Sequence, residues 1–142
     1  MVTQMQTEIT QRTILAGLRI LVAEDNELNR QLLEIILSSG GADVTQVCDG
    51  EEAVAVFDPA QFDLAILDIC MPKLDGLATL TKIRDRDPDF PAAALTACAR
   101  SEDRDACMAA GFQLFLTKPI MPADLLRAIT LLAETRVVCS VN

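Results

Sequence analysis

From Leu18 onward the chain alternates short apolar runs with segments whose apolar residues recur at helical spacing, and turn residues punctuate the joins. The runs cover residues 18–23, 43–47, 64–67, 92–95 and 112–116, each of strand length. Between them, Asn26 is placed to cap a first helix that carries Leu28, Leu32, Ile35 and Ile36 on one face and stops at Gly40 or Gly41. Residues 51–57 read as a short second helix ended by Pro59, and residues 77–86 as a third, ended ahead of Pro88. A fourth starts at Ser101, with Glu102 and Asp103 near the positive end of its dipole, and stops at Gly111. The last begins at Pro122, a residue suited to a first helical turn, and turns Leu125, Leu126, Ile129 and Leu132 toward the core. Five β-α units in about 120 residues imply an α/β fold, a doubly wound parallel sheet covered on both faces by crossover helices. Such sheets bind ligands at the carboxyl ends of their strands, beside the point where strand order reverses. The residues that end each run are therefore the candidate site.

Length and composition narrow this picture. A chain of 142 residues forms one domain, and 51% hydrophobic against 23% charged residues excludes wholesale disorder. We place the domain at residues 17–136, with residues 1–16 as a loosely ordered lead-in and 137–142 as a C-terminal tail. The net charge of −9 argues against nucleic-acid or anionic-membrane partners, which need a basic face. Histidine is absent, so the chain has no Ser-His or Cys-His couple, no His-ligated metal and no phosphohistidine of its own. Five cysteines (Cys48, Cys70, Cys98, Cys107 and Cys139), with no C-x-x-C pair, fit a reducing cytoplasm better than a disulfide framework. The polar N-terminus is no signal peptide, and no apolar run has the length to span a bilayer, so a soluble protein is expected.

The strand ends carry the chemistry. The first run ends in Glu24-Asp25, the second in Cys48, the third in Asp68 and the fourth in Thr96, while the fifth leads to Lys118. The first, third, fourth and fifth ends are neighbours in such a sheet, so three carboxylates, a hydroxyl and an ammonium converge. Packed carboxylates repel one another unless a cation intervenes, and a hard divalent ion with oxygen ligands, Mg²⁺ (or Mn²⁺), suits them. A lysine beside a metal-neutralised acid cluster fits a phosphoryl group, to which Thr96 can donate a hydrogen bond. The constellation suggests phosphoryl transfer to Asp68 as nucleophile, giving an acyl phosphate.

Four segments carry a family resemblance: Val22-Ala23-Glu24-Asp25-Asn26; Leu67-Asp68-Ile69-Cys70-Met71-Pro72 with Asp75-Gly76; Leu95-Thr96-Ala97; and Leu116-Thr117-Lys118-Pro119. In order and spacing they resemble the signatures of response-regulator receiver domains, over residues 18–134. The resemblance implies a flavodoxin-like (βα)5 fold with strand order 2-1-3-4-5. It implies Asp68 as phosphoacceptor, with Glu24, Asp25, Asp68 and the Cys70 backbone carbonyl as the protein ligands of Mg²⁺. Thr96 and Lys118 would contact the phosphoryl group, and Phe115 stands where the family has its switch aromatic. A cis Lys118–Pro119 peptide is also implied. The runs Glu24-Asp25-Asn26 with Asn29, Thr96-Ala97-Cys98-Ala99 and Leu116–Ile120 are similar to receivers attached to hybrid histidine kinases. The implied partners are a histidine kinase or histidine phosphotransfer protein as donor, and a downstream protein reading the face of helix 4, strand 5 and helix 5.

The leading expectation is thus a phosphoacceptor switch rather than an enzyme acting on other substrates. Two alternatives stand beside it. A small aspartyl-phosphate phosphatase of Asp-x-Asp type would need an acid at position 70, which is Cys. A non-phosphorylated docking module of the same fold would have no need of the intact acidic triad and lysine. Cys70 and Cys98 each lie two residues beyond a site residue, at positions where the resemblance implies that small side chains would alter the access of water; a redox pairing between them is a minor alternative to two ordinary thiols.

Overall fold

A computed structural model describes residues 14–97 and 100–141. Five strands, β1 (Arg19–Ala23), β2 (Asp43–Val47), β3 (Leu64–Asp68), β4 (Ala92–Thr96) and β5 (Leu114–Thr117), form one sheet. They alternate with α1 (Glu27–Ser39), α2 (Gly50–Val56), α3 (Gly76–Arg86), α4 (Ser101–Ala110) and α5 (Pro122–Val141). All four pairings are parallel, in the order β2-β1-β3-β4-β5, so strand order reverses between β1 and β3. The expected (βα)5, flavodoxin-like topology is the one observed.

Hydrophobic burial divides into two layers. On one face, Phe57, Leu80, Ile83, Phe90 and Phe112 pack with the inward residues of the sheet, and the rings of Phe57 and Phe90 meet edge to face at 4.8 Å. On the other, Leu33 and Leu37 of α1 meet Leu125, Ile129 and Leu132 of α5 across Ile20, Val22 and Ile66. β3 and β4 are buried at every position, which is why they read as continuous apolar runs; β2, at an edge, alternates. Three helices start on side-chain caps. Asn26 accepts from the Asn29 amide, Asp49 from Glu52 and Asp75 from Ala78. Arg100 precedes α4 without a side-chain cap, and α4 buries only Cys107 before Gly111 ends it at φ 105°. The Lys118–Pro119 peptide is cis.

Several local expectations need correction. In α1 the core face is Leu33, Ile36 and Leu37, whereas Leu28 and Ile35 are 74% and 67% exposed and Leu32 is also at the surface. Residues 1–13 of the lead-in lie outside the described residues, but Leu15 already belongs to the domain. It is 2% exposed, its amide donates to the Gly40 carbonyl at 2.7 Å, and its side chain fills the space beside Gly40. At the other end α5 continues to Val141, through residues set apart as a tail. The fifth strand starts two residues later than its apolar run, because Phe112 is spent on the α4–β5 turn, where its amide bonds the Cys107 carbonyl. Leu126 of α5 is half-buried, beside three fully buried neighbours at helical spacing.

Candidate functional site

The site forms where β1, β3, β4 and β5 end side by side. Register does the assembling: Ala23 pairs with Leu67, Asp68 with Leu95 and Thr96 with Thr117, so residues 24, 68, 96 and 118 leave the sheet at one level. Glu24 is fully buried (0% exposed), Asp68 is 3% exposed, and Asp25 lies at the surface. One carboxylate oxygen from each of the three lies within 4.8 Å of the others. Lys118 reaches the same cluster from the end of β5. Its Nζ donates to Glu24 Oε1 and Asp68 Oδ2, each at 3.1 Å, and stands 3.0 Å from Glu24 Oε2. Thr96 ends β4 in a buried position, and its carbonyl accepts from the Lys118 amide at 2.8 Å.

Backbone groups hold these side chains in place. The Cys70 amide donates to Asp68 Oδ1 at 3.0 Å, and the Asn26 amide and Asn29 Nδ2 donate to Glu24 Oε1 at 3.2 and 3.4 Å. Gly76 opens α3 directly against the end of β3: a Cβ there would lie 2.5 Å from the Asp68 carbonyl oxygen, so no larger residue fits. Sequence reasoning missed Arg30, whose Nη1 donates to the carbonyls of both Glu24 and Asp25 at 2.8 and 3.0 Å. The signal available was a cation one helical turn after the acidic pair.

Electrostatics follow from the geometry. Burial, then a hydrogen bond and like charge shared with Glu24, push the Asp68 carboxyl above its ordinary range, against the Cys70 amide and Lys118, which favour the charged form. Burial alone would lower the Lys118 ammonium, but its hydrogen bonds to Glu24 and Asp68 and their charges outweigh burial and raise it. Three carboxylates face one ammonium, which leaves negative charge uncompensated. Among the described residues, Glu24 Oε2 is buried and accepts no hydrogen bond, although Lys118 is within ion-pair distance. An all-oxygen donor set with an orphaned carboxylate oxygen fits a hard divalent cation.

Phe115 lies half-buried on β5, packed like Ile69 and Leu77 against the core layer of Phe57, Leu80 and Phe90, with the Arg104 guanidinium 5.9 Å from its ring centroid. A cavity of about 110 Å³ opens beside Thr96, bounded among others by Ile69, Cys70, Leu77, Asp103 and Cys107. Cys70 is exposed at its edge, and Cys98 lies outside the described residues, as therefore does any Cys70–Cys98 pairing. Among the described residues, no helix is long and apolar enough to cross a membrane.

A doubly wound sheet with an acidic cluster and a lysine at its switch point defines a class of fold and site, and comparison with known sequences gives the class a family. The response regulator receiver domain profile matches residues 20–130, and the chain belongs to that family. It is 36% identical, with a TM-score of 0.77, to the receiver domain of the sensor histidine kinase PA1611 of Pseudomonas aeruginosa PAO1, covering 84% of this chain and 99% of that one. That structure holds a magnesium ion coordinated in the active site cleft. An uncharacterized 14.6 kDa protein of Leptolyngbya boryana is 38% identical over 117 residues, 81% of this chain and 89% of its own length. The hybrid signal transduction histidine kinase L of Dictyostelium discoideum is 36% identical over 115 residues, covering 75% of this chain but only 7% of that kinase. The likeness to receivers of hybrid kinases is thus found in sequence as well as in structure. The chain is a receiver domain of two-component signalling.

Proposed function

We propose that this receiver takes a phosphoryl group from the phosphohistidine of another protein or domain onto Asp68 and signals by a change of shape. The observation that carries this reading is the convergence of Glu24, Asp25 and Asp68 within 4.8 Å, with Lys118 bonded to two of them. In the transfer, an Asp68 carboxylate oxygen attacks phosphorus. The new O–P bond forms as the P–N bond to the donor imidazole breaks, and the imidazole nitrogen leaves with the electron pair. Glu24, Asp25, Asp68 and the Cys70 carbonyl would hold Mg²⁺, which when bound neutralises the acids and draws charge from the phosphoryl oxygens. Lys118 exchanges a carboxylate contact for a phosphoryl oxygen, and the Thr96 hydroxyl donates to another. The chain's lack of histidine requires that the donor be a separate kinase or phosphotransfer domain.

The exposed stripe of Leu28, Leu32 and Ile35 starts half a turn beyond the Asn26 cap, beside the site, and offers that donor an apolar face. Output runs through α4, β5 and α5. Phe115 turns from beneath Arg104 toward the cavity beside Thr96, and phosphorylation favours the inward position through the contact Thr96 makes only in that state. We assign the protein to the cytoplasm, with no nucleic-acid partner and no catalytic activity beyond its own phosphorylation and dephosphorylation.

Incubation with acetyl phosphate and Mg²⁺ followed by intact-mass measurement tests the reading. A phosphoryl adduct is expected on the wild type and none on Asp68→Asn. An adduct that persists in Asp68→Asn moves the acceptor elsewhere, and no adduct on the wild type leaves a docking module.

A further inference from the structure

Two of the three acidic side chains hang from a loop that belongs to neither β1 nor α1. The Glu24 amide still bonds the Val47 carbonyl, but the first backbone bond of α1 runs from the Arg30 amide to the Asn26 carbonyl. The carbonyls of Glu24 and Asp25 therefore fall between ladder and helix. A single nitrogen, Arg30 Nη1, donates to both, at 2.8 and 3.0 Å. Arg30 is half-buried, and its own carbonyl accepts from Gln46 Nε2 at 2.5 Å, which ties this turn of α1 to β2.

One donor shared by two consecutive carbonyls fixes two successive peptide planes relative to each other. Those planes set the directions in which the Glu24 and Asp25 side chains depart. The guanidinium also brings a fixed positive charge to the loop that carries the like-charged pair. We propose that Arg30 is a positioning residue: it holds the Glu24–Asp25 loop in the one arrangement that presents both carboxylates to a divalent cation, without touching that cation itself. The proposal rests on the reading of Glu24, Asp25 and Asp68 as the cation site. Partners of this kind, one bond removed from the ligands, typically contribute 10- to 100-fold in metal affinity.

The test is a titration of the full chain with Mn²⁺, which takes the same oxygen donors, followed by electron paramagnetic resonance of the free ion. Arg30→Met keeps much of the aliphatic stem and removes donor and charge; it is expected to weaken Mn²⁺ binding at least about tenfold, with an unchanged far-UV circular dichroism spectrum in EDTA. Arg30→Lys, with one cationic donor on a slightly shorter stem, is expected to fall between Arg30→Met and the wild type. An affinity in Arg30→Met within about twofold of the wild type, or an Arg30→Lys weaker than Arg30→Met, overturns the proposal. Arg30→Gln, neutral and short, carries the same expectation and the same overturning result if Arg30→Met does not fold. Asp25→Asn separates the two levels. Wild-type binding that is lost in Asp25→Asn but kept in Arg30→Met removes only the role of Arg30, whereas Asp25→Asn binding as well as the wild type removes the cation site itself.

Discussion

Removing one carboxylate from the site should stabilise the metal-free protein and abolish most of its response to magnesium. In Asp25→Asn the fold keeps its shape, but the cluster loses one of three mutually repelling charges. At 4.8 Å a pair of unit charges interacts by about 3.5 kcal/mol at an effective dielectric of 20 and about 0.9 kcal/mol in water. Asp25 is exposed, so the lower figure is the closer one. It repels both Glu24 and Asp68, and part of that is offset by its attraction to Lys118. The net gain for metal-free Asp25→Asn is at most about 1 kcal/mol, or roughly 3–4 °C in melting temperature for a domain of this size. Saturating Mg²⁺ acts in the other direction. At a hundred times its dissociation constant a ligand stabilises by about 2.7 kcal/mol, and the variant should lose most of that increment. The two proteins therefore exchange order: Asp25→Asn melts above the wild type in EDTA and below it in Mg²⁺. The chain has neither tryptophan nor tyrosine, so scanning calorimetry or circular dichroism is the assay. An Asp25→Asn that melts lower than the wild type in EDTA, or keeps the full Mg²⁺ increment, would refute the electrostatic account of the site.

Three further predictions follow from other parts of the molecule. In Gly50→Ala the new methyl would lie 2.1 Å from the Leu74 carbonyl oxygen and 2.2 Å from Thr79 Oγ1, so chemical denaturation should show a loss of at least about 2 kcal/mol; a midpoint like the wild type's means that α2 and α3 are not so closely apposed. The Asp49 carboxyl is held below its ordinary range, chiefly by the Glu52 amide and, after the opposing effect of burial, by Lys73. Its contribution is therefore present above about pH 4 and lost as pH falls through that depressed value, so Asp49→Asn should flatten the acid limb of the stability curve, and an unchanged limb would remove the cap's charge from the account. In Arg104→Met the loss of about 0.5–1 kcal/mol of cation–π contact with Phe115 should raise the rate of labelling by acetyl phosphate two- to fivefold; a rate that stays level or falls means that Arg104 does not hold the ring outward.

The sheet and the site were legible because both depend on residues that have few other uses. An aspartate that closes a run such as Leu64-Ala65-Ile66-Leu67 has no packing reason to be there, and four strand ends with chemically matched residues constrain one another. Helix faces were less legible. Residues 28–37 hold six large aliphatic side chains, and Leu28, Leu32 and Ile35 make as good a helical stripe as Leu33, Ile36 and Leu37. Periodicity cannot choose between two complete stripes, since only the sheet's position decides which is buried. Leu15 was hidden for a similar reason. It lies in the brief apolar stretch Ile14-Leu15-Ala16, too short to show a period, and its place in the core depends on Gly40 and Leu126, which are distant in sequence. Arg30 acts through backbone carbonyls, and no residue type in the sequence marks a carbonyl that lacks a partner.

The thin attachment of α4 bears on how much a signal can cost. α3 buries Thr79, Leu80 and Ile83, whereas α4 buries Cys107 alone and begins without a side-chain cap. Uncovering one small thiol and its immediate surroundings costs on the order of 1–2 kcal/mol, a sum that a single charged group binding 30-fold better to one arrangement can supply. The helices α1, α3 and α5, each anchored by large aliphatic side chains, lie beyond the reach of so modest a lever. On the proposed function, those three helices would keep the architecture constant through each cycle of modification, and α4 would be a helix free to yield.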